Sequence, residues 1–178
     1  ADVMRWLYVT HDPKDNLNFG YNIAREVRRK LNIFYNLNKY VKTYIEANNF
    51  NPKEEKVKNL NNLHQWLYSK LEKLKKNVTE FLLNYDFFRA SREIEDFIIN
   101  DFSRWYVHII RDKVKEGYKG EDKKQVLKAL YNTQFEIVKM LAPFIPFVAE
   151  EMYQELFRKF EEVESVHLLP WPEYNEKL

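Results

Sequence analysis

Between Tyr21 and Glu46 the chain contains neither glycine nor proline, and its apolar residues return with the period of a helix. Placed at 100° intervals, Ile23, Val27, Phe34, Leu37, Val41 and Ile45 gather in an arc of about 80°. A helix of that length has one long stripe to bury, and the partners able to cover it are other long helices. The rest of the sequence supplies them. Only 3 glycines and 6 prolines occur in 178 residues, most of them outside the periodic stretches. The expected fold is therefore all-α: an antiparallel bundle of about five helices with a short extended C-terminal tail.

A short apolar stretch, Ala1 to Tyr8, precedes the bundle and runs into a turn at Thr10-His11-Asp12-Pro13-Lys14-Asp15. Asparagines and Pro52 stop the first long helix. A second is expected from about Leu60 to Asn84, and a third from Asp86, a plausible N-cap, to Glu116, with Gly117 and Gly120 bracketing its end. A fourth starts near Asp122 and ends before Pro143. Pro146 suits the first turn of a fifth, to Phe160. Ser165 to Pro172 reads as extended chain. The expected division is a junction segment at 1–19, a helical bundle at 20–160 and an extended tail at 161–178.

Opposite the apolar stripe of the first long helix lies a second arc holding Arg25, Arg29, Asn32, Asn36 and Lys39. The helix carries 6 basic residues against 2 acidic ones. Cations attract phosphates, and asparagine amides both donate to and accept from base edges, so this ridge suits an RNA backbone with splayed bases. From charge alone, a solvated helix face is the commoner reading. Arg28 lies beside the ridge, and the third helix contributes Arg104 and Arg111. On the same 100° wheel Trp105 and Ile109 fall with Ile94, Phe97 and Ile98, a core position and not a base-stacking platform. His108 falls at the edge of that stripe as a core histidine. Asp101 and Asp112 fall on it too, where a carboxylate needs a partner. Between Glu150 and Glu164 the balance reverses, giving the bundle a positive and a negative side although the net charge is only +2.

Catalytic and metal-binding patterns are missing. There is no cysteine. The four histidines have no ligand spacing, no glycine-rich phosphate loop exists, and no Gly-x-Ser-x-Gly elbow appears. No run of about 18 apolar residues is present, and the first residues do not form a signal peptide. These features suit a soluble, cytoplasmic protein with no membrane partner.

Six blocks, in order from one end of the chain to the other, resemble a known family. Ala1-Asp2-Val3-Met4-Arg5-Trp6-Leu7-Tyr8 is similar to the Gly-Ala-Asp-Ala-Leu-Arg-Trp-Tyr stretch of class I synthetases for isoleucine, valine and leucine, starting one residue after the glycine. Asp15-Asn16-Leu17-Asn18-Phe19 resembles their Asp-Leu-Asn/Arg-Phe segment. Glu26-Val27-Arg28-Arg29-Lys30 looks like Glu-Val-Val-Arg-Lys of the isoleucyl branch, and Ser103-Arg104-Trp105-Tyr106-Val107 matches that branch's Ser-Arg-Trp-Tyr-Val. Leu141-Ala142-Pro143-Phe144-Ile145-Pro146-Phe147 and Ser165-Val166-His167-Leu168 with Trp171-Pro172 are similar to the shared blocks that follow.

The resemblance implies the tRNA anticodon-binding domain of an isoleucyl-tRNA synthetase, with the valyl, leucyl and methionyl enzymes as alternatives. Its partners would be the anticodon arm of a tRNA and the catalytic domain of the same parent chain. The parent would use ATP and Mg to join isoleucine to its tRNA. This chain, lacking the His-Ile-Gly-His and Lys-Met-Ser-Lys-Ser signatures, would be non-catalytic and hold no cofactor. The RNA-facing residues proposed are Arg25, Arg28, Arg29, Asn32, Asn36, Lys39, Arg104 and Arg111, chosen by helix geometry and not by motif. A stand-alone protein-interaction module and an RNA-binding bundle unconnected to aminoacylation are the rival readings.

Overall fold

Three of the helices end where a side chain donates back to a carbonyl of the last turn: Thr10 to Trp6, Asn48 to Tyr44 and Asn84 to Glu80. The computed structural model describes residues 1–17, 19–54 and 60–175; Asn18 of the Asp15–Phe19 block and the last three residues of the tail lie outside them. Helix α1 is Asp2–Val9, α2 Tyr21–Ala47 and α3 Asn62–Leu83. Helix α4 begins as Phe87–Asp96, continues through a widened π-type stretch Phe97–Val107 and closes with one turn, His108–Ile110. Helix α5 is Lys123–Leu141, and α6 is Pro146–Met152 with a π-type continuation Tyr153–Phe157. As the sequence predicts, Asp86 caps α4 by accepting from the Arg89 amide at 2.9 Å, and Pro146 occupies the first turn of α6.

Helices α2 and α3 end alike. After each comes a left-handed residue, Asn49 at φ 47° and Tyr85 at φ 57°. The amide two beyond the C-cap then reaches back a full turn: Phe50 to the Ile45 carbonyl at 3.0 Å, and Asp86 to the Phe81 carbonyl at 2.8 Å. These are Schellman closures. Asparagine tolerates the left-handed region, but a bulky tyrosine there is a backbone outlier.

From α2 to α6 the chain runs up and down, and α5 forms the centre. Val126, Leu130, Ile137, Val138 and Leu141 of α5 are buried on several sides, against α2, α3, α4 and α6. Helix α1 lies across one end of this bundle and packs on α2, α4 and α6. Its Asp2 is buried and accepts from the Val148 amide at 2.8 Å. The tail is fastened along α3: Trp171 Nε1 donates to Thr79 at 2.8 Å and Lys75 Nζ to the Glu173 carbonyl at 2.7 Å. Within the stretch read as extended, Val166–Leu168 forms a 3₁₀ turn.

The third predicted helix is where the structure departs most from the wheel. Ala90, Ile94, Ile98, Phe102, Tyr106, Ile110 and Val114 are each 0% exposed. They recur at every fourth position, a row that a regular α-helix would rotate by about 40° per step. Wider i→i+5 turns advance less per residue and keep the row facing the core. Over so many residues the 100° wheel falls out of phase. Trp105, expected in the core, is 42% exposed, and Ile109 and His108 also face outward. The histidine that is buried is His64. Asp112 lies in the exposed turn after the helix and pairs with Lys115 at 2.6 Å. Asp101 does find a partner, Lys70 at 3.1 Å.

Candidate nucleic-acid interface

Helix α2 turns its apolar stripe inward, burying Val27, Leu31, Phe34, Leu37, Val41 and Ile45. The opposite row is set against water by the same periodicity: Arg25, Arg28, Arg29, Asn32, Asn36 and Lys39 are all exposed. Arg25 reaches Asn22 at 3.4 Å, a weak contact within its own helix. Arg28, Arg29, Asn32 and Asn36 have no side-chain partner among the described residues. An asparagine in mid-helix costs about 0.5 kcal/mol against alanine, and neither Asn32 nor Asn36 recovers this through a contact of its own.

Lys39 is steered. Its Nζ stands 4.6 Å over the Tyr35 ring, and the Tyr35 hydroxyl donates to Glu151 at 3.0 Å and Glu155 at 2.8 Å on the acidic helix α6. Partial burial and the two carboxylates push the Tyr35 hydroxyl far above its ordinary pKa, so it remains a donor. The ridge therefore has a positive crest and a flank that merges into the acidic side of the bundle. Lys30, one residue from Arg29, is drawn the other way. It donates to Glu95 at 2.7 Å, together with Trp6 Nε1 at 3.0 Å and Arg92 at 3.3 Å. That carboxylate is 6% exposed and ties α1, α2 and α4 together.

The two arginines of the third helix separate. Arg111, at the end of α4, stands near Tyr40 of α2 and favours the ionised form of a hydroxyl that burial pushes well above its ordinary range. It thus borders the ridge helix, with Asp112 3.9 Å away. Arg104 lies on the outward face of α4, bonded to Asn100 at 3.0 Å, and no contact joins it to the ridge. The loop between α4 and α5 is braced by Lys113 and by Tyr118, whose hydroxyl donates to Asp122 at 2.8 Å; Lys115 and Lys119 are exposed on it.

The wheel also missed the surface pair Trp66 and Trp105, whose ring centroids are 3.9 Å apart at a 46° tilt, with Lys70 5.5 Å over the Trp66 ring. The four-residue spacing of apolar residues from Ala90 to Val114 was the signal that could have put Trp105 outside. Among the described residues no cluster of three or more His, Asp or Glu side chains could hold a metal ion. None of their helices is long and apolar enough to cross a membrane.

Comparison with known proteins assigns this architecture. The chain is 35% identical over 168 residues to the isoleucine–tRNA ligase of Thermococcus kodakarensis, an alignment covering 93% of this chain and 16% of that protein. The ligase of Methanocella arvoryzae is 36% identical over 180 residues, covering 97% and 16%. That of Methanopyrus kandleri is 31% identical over 182 residues, covering 99% and 17%. The chain thus spans about a sixth of the length of these relatives, and the ridge of α2 falls inside the stretch they share. From His64 in the first turn of α3 to Leu178, the sequence also fits the family model described as the anticodon-binding domain of tRNA ligase; the chain belongs to that family.

Proposed function

We propose that the bundle holds the anticodon arm of the tRNA that accepts isoleucine, with the crest of α2 as the RNA-facing surface. The observation that carries this reading is the row Arg25, Arg29, Asn32 and Asn36, exposed on a helix whose other face is sealed into the core. Arginines set the register on phosphates, and unpartnered amides are free for the edges of unstacked bases. Arg28, Lys39 and Arg111 flank this crest, and Arg104 would reach RNA only at its margin. The isoleucine assignment is supported by the names of the relatives. In this reading the parent enzyme uses ATP and magnesium in the cytoplasm to charge the tRNA through a catalytic domain elsewhere in the polypeptide. The present chain contributes binding and no aminoacylation step.

Titration of the anticodon stem-loop onto this chain tests the proposal. Three or four ridge cations predict a slope of log K against log salt of about −2 to −3.5, and the double variant Arg25→Glu, Arg29→Glu should reduce it by about 1.5. Binding that is indifferent to salt, or equal in the folded double variant and the parent sequence, would mean that the ridge is only solvated.

A further inference from the structure

Two tryptophans meet on the outer seam between α3 and α4. The ring centroids of Trp66 and Trp105 lie 3.9 Å apart, and Trp105 is 42% exposed. Neither indole N–H has a hydrogen-bond partner among the described residues. Lys70 steadies the pair. Its Nζ stands 5.5 Å over the half-buried Trp66 ring and pairs with Asp101 at 3.1 Å. Trp66 thus touches both Lys70 and Trp105, so the exposed ring is ordered by a neighbour before any ligand arrives, which lowers the cost of binding.

The winding of α4 decides what stands beside it. A row that returns at every fourth residue turns by about 90° per step. With Phe102 and Tyr106 in the core, Arg104 faces directly away from it and Trp105 faces α3. Asn100, Arg104 and His108 form this outermost row, and all three are exposed. Arg104 gives one N–H to Asn100 at 3.0 Å and keeps the rest of its donor fork open. The nearby carboxylates are engaged: Asp101 by Lys70, and Asp96 by Asn100 at 2.6 Å. On the other flank of α4, Glu95 joins Lys30 of the ridge helix. The crest of α2 and the tryptophan pair therefore lie to either side of the outermost row of α4, about 15–20 Å apart at 8–10 Å per helix spacing.

We infer that Trp105, backed by Trp66, is a stacking platform for one unpaired RNA base, with Arg104 on the phosphate beside it. The inference rests on the reading of the bundle as an RNA-holding domain and adds a base-holding contact to the α2 crest. The occupant is argued from chemistry and size. An indole face stacks on any base, and an adjacent cation takes the charge that each nucleotide carries. Splayed-out bases are held in this way on aromatic planes. A protein partner fits less well, because a stable interface covers about 800 Å² on each side. Here the exposed apolar surface amounts to Trp105, the outer part of Trp66 and Ile109.

The test is titration of the anticodon stem-loop onto the 178-residue chain. Binding should quench tryptophan emission, and Trp105→Leu, which keeps an apolar cover on the seam but removes the plane, should abolish that quenching. The same variant should weaken binding about tenfold or more, and Trp105→Phe should regain most of the loss. An abasic nucleotide at one unpaired loop position should cost the parent sequence a similar factor and cost Trp105→Leu nothing further. Urea melts check that the variants are folded. Unquenched emission, equal affinity of folded Trp105→Leu and the parent sequence, or losses that add at every abasic position overturn the inference. If Arg25→Glu, Arg29→Glu weakens binding and Trp105→Leu does not, the platform alone is refuted; the opposite result refutes the ridge alone. Absence of stem-loop binding refutes both.

Discussion

His64 should make the bundle sensitive to mild acid, by an amount that follows from its surroundings. Its side chain is 0% exposed. Nδ1 is 2.8 Å from the Tyr106 hydroxyl, and Nε2 is buried without a partner among the described residues. It also sits in the first turn of α3, where the helix dipole opposes a positive charge. Burial is the main cause that lowers its pKa to about 4; nearby Lys113 pushes the same way, and Asp122 opposes. In the unfolded chain an ordinary histidine titrates near 6.5, so between these values the unfolded state binds more protons. Stability from this group is therefore intact above about pH 6.5 and falls with pH until the folded pKa is passed. At pH 4.5 the loss comes to about 2.5 kcal/mol. Replacing His64 by Gln removes the titration. Urea unfolding of both proteins at pH 7 and pH 4.5, followed by tryptophan fluorescence, isolates the effect, because carboxylates common to both cancel in the difference. The variant should be less stable at pH 7, and its deficit should shrink by about 2.5 kcal/mol at pH 4.5. A deficit equal at the two pH values would show that His64 is not held neutral by burial.

Other outcomes follow from the packing and the ridge. Phe102→Ala should cost about 3–5 kcal/mol, as expected for a fully buried aromatic, whereas Trp105→Ala at the surface should cost less than half of that; the reverse order in urea melts would restore the 100° wheel. Glu95→Ala leaves the buried Trp6 indole without its acceptor, while Lys30 and Arg92 keep access to water, and should destabilise by about 1–3 kcal/mol, measured as a lower urea midpoint at pH 7. Asn32→Ala and Asn36→Ala should each raise stability by about 0.5 kcal/mol through helix propensity while weakening stem-loop binding. Gain in both properties would remove these amides from the proposed interface.

The sequence was most legible where one helix meets both core and water. On α2 the arcs drawn from side-chain periodicity match burial, because a regular helix fixes the angle of every residue once its first turn is placed. The caps were legible for a similar reason: Asp86 and Pro146 act through local backbone groups that no distant contact alters. Lys30 and Lys39 show the limit. Adjacent residues on the chain place them near the crest, but Glu95 draws one inward and the Tyr35–Glu151–Glu155 cluster draws the other aside. Tyr35 is on α2 itself, but Glu95, Glu151 and Glu155 lie on other helices and become neighbours only when the bundle closes.

The sequence by itself thus determined that this chain is helical, where most helices begin, which stripe of α2 is sealed and which is left to solvent. Local geometry and hydrophobic period suffice for each of these. Tertiary structure alone decided the winding of α4. Keeping Ala90 through Val114 on one core-facing row demands slower rotation than an isolated helix prefers, and packing against α3 and α5 supplies the burial that holds it there. That rotation moves Trp105 to the surface and Tyr106 beneath it. Assembly likewise brought Tyr8 and Phe147, distant in sequence, to the end of the bundle that carries the turn at Leu83, Tyr85 and Phe87, because alternating helices bring every second connection to the same side.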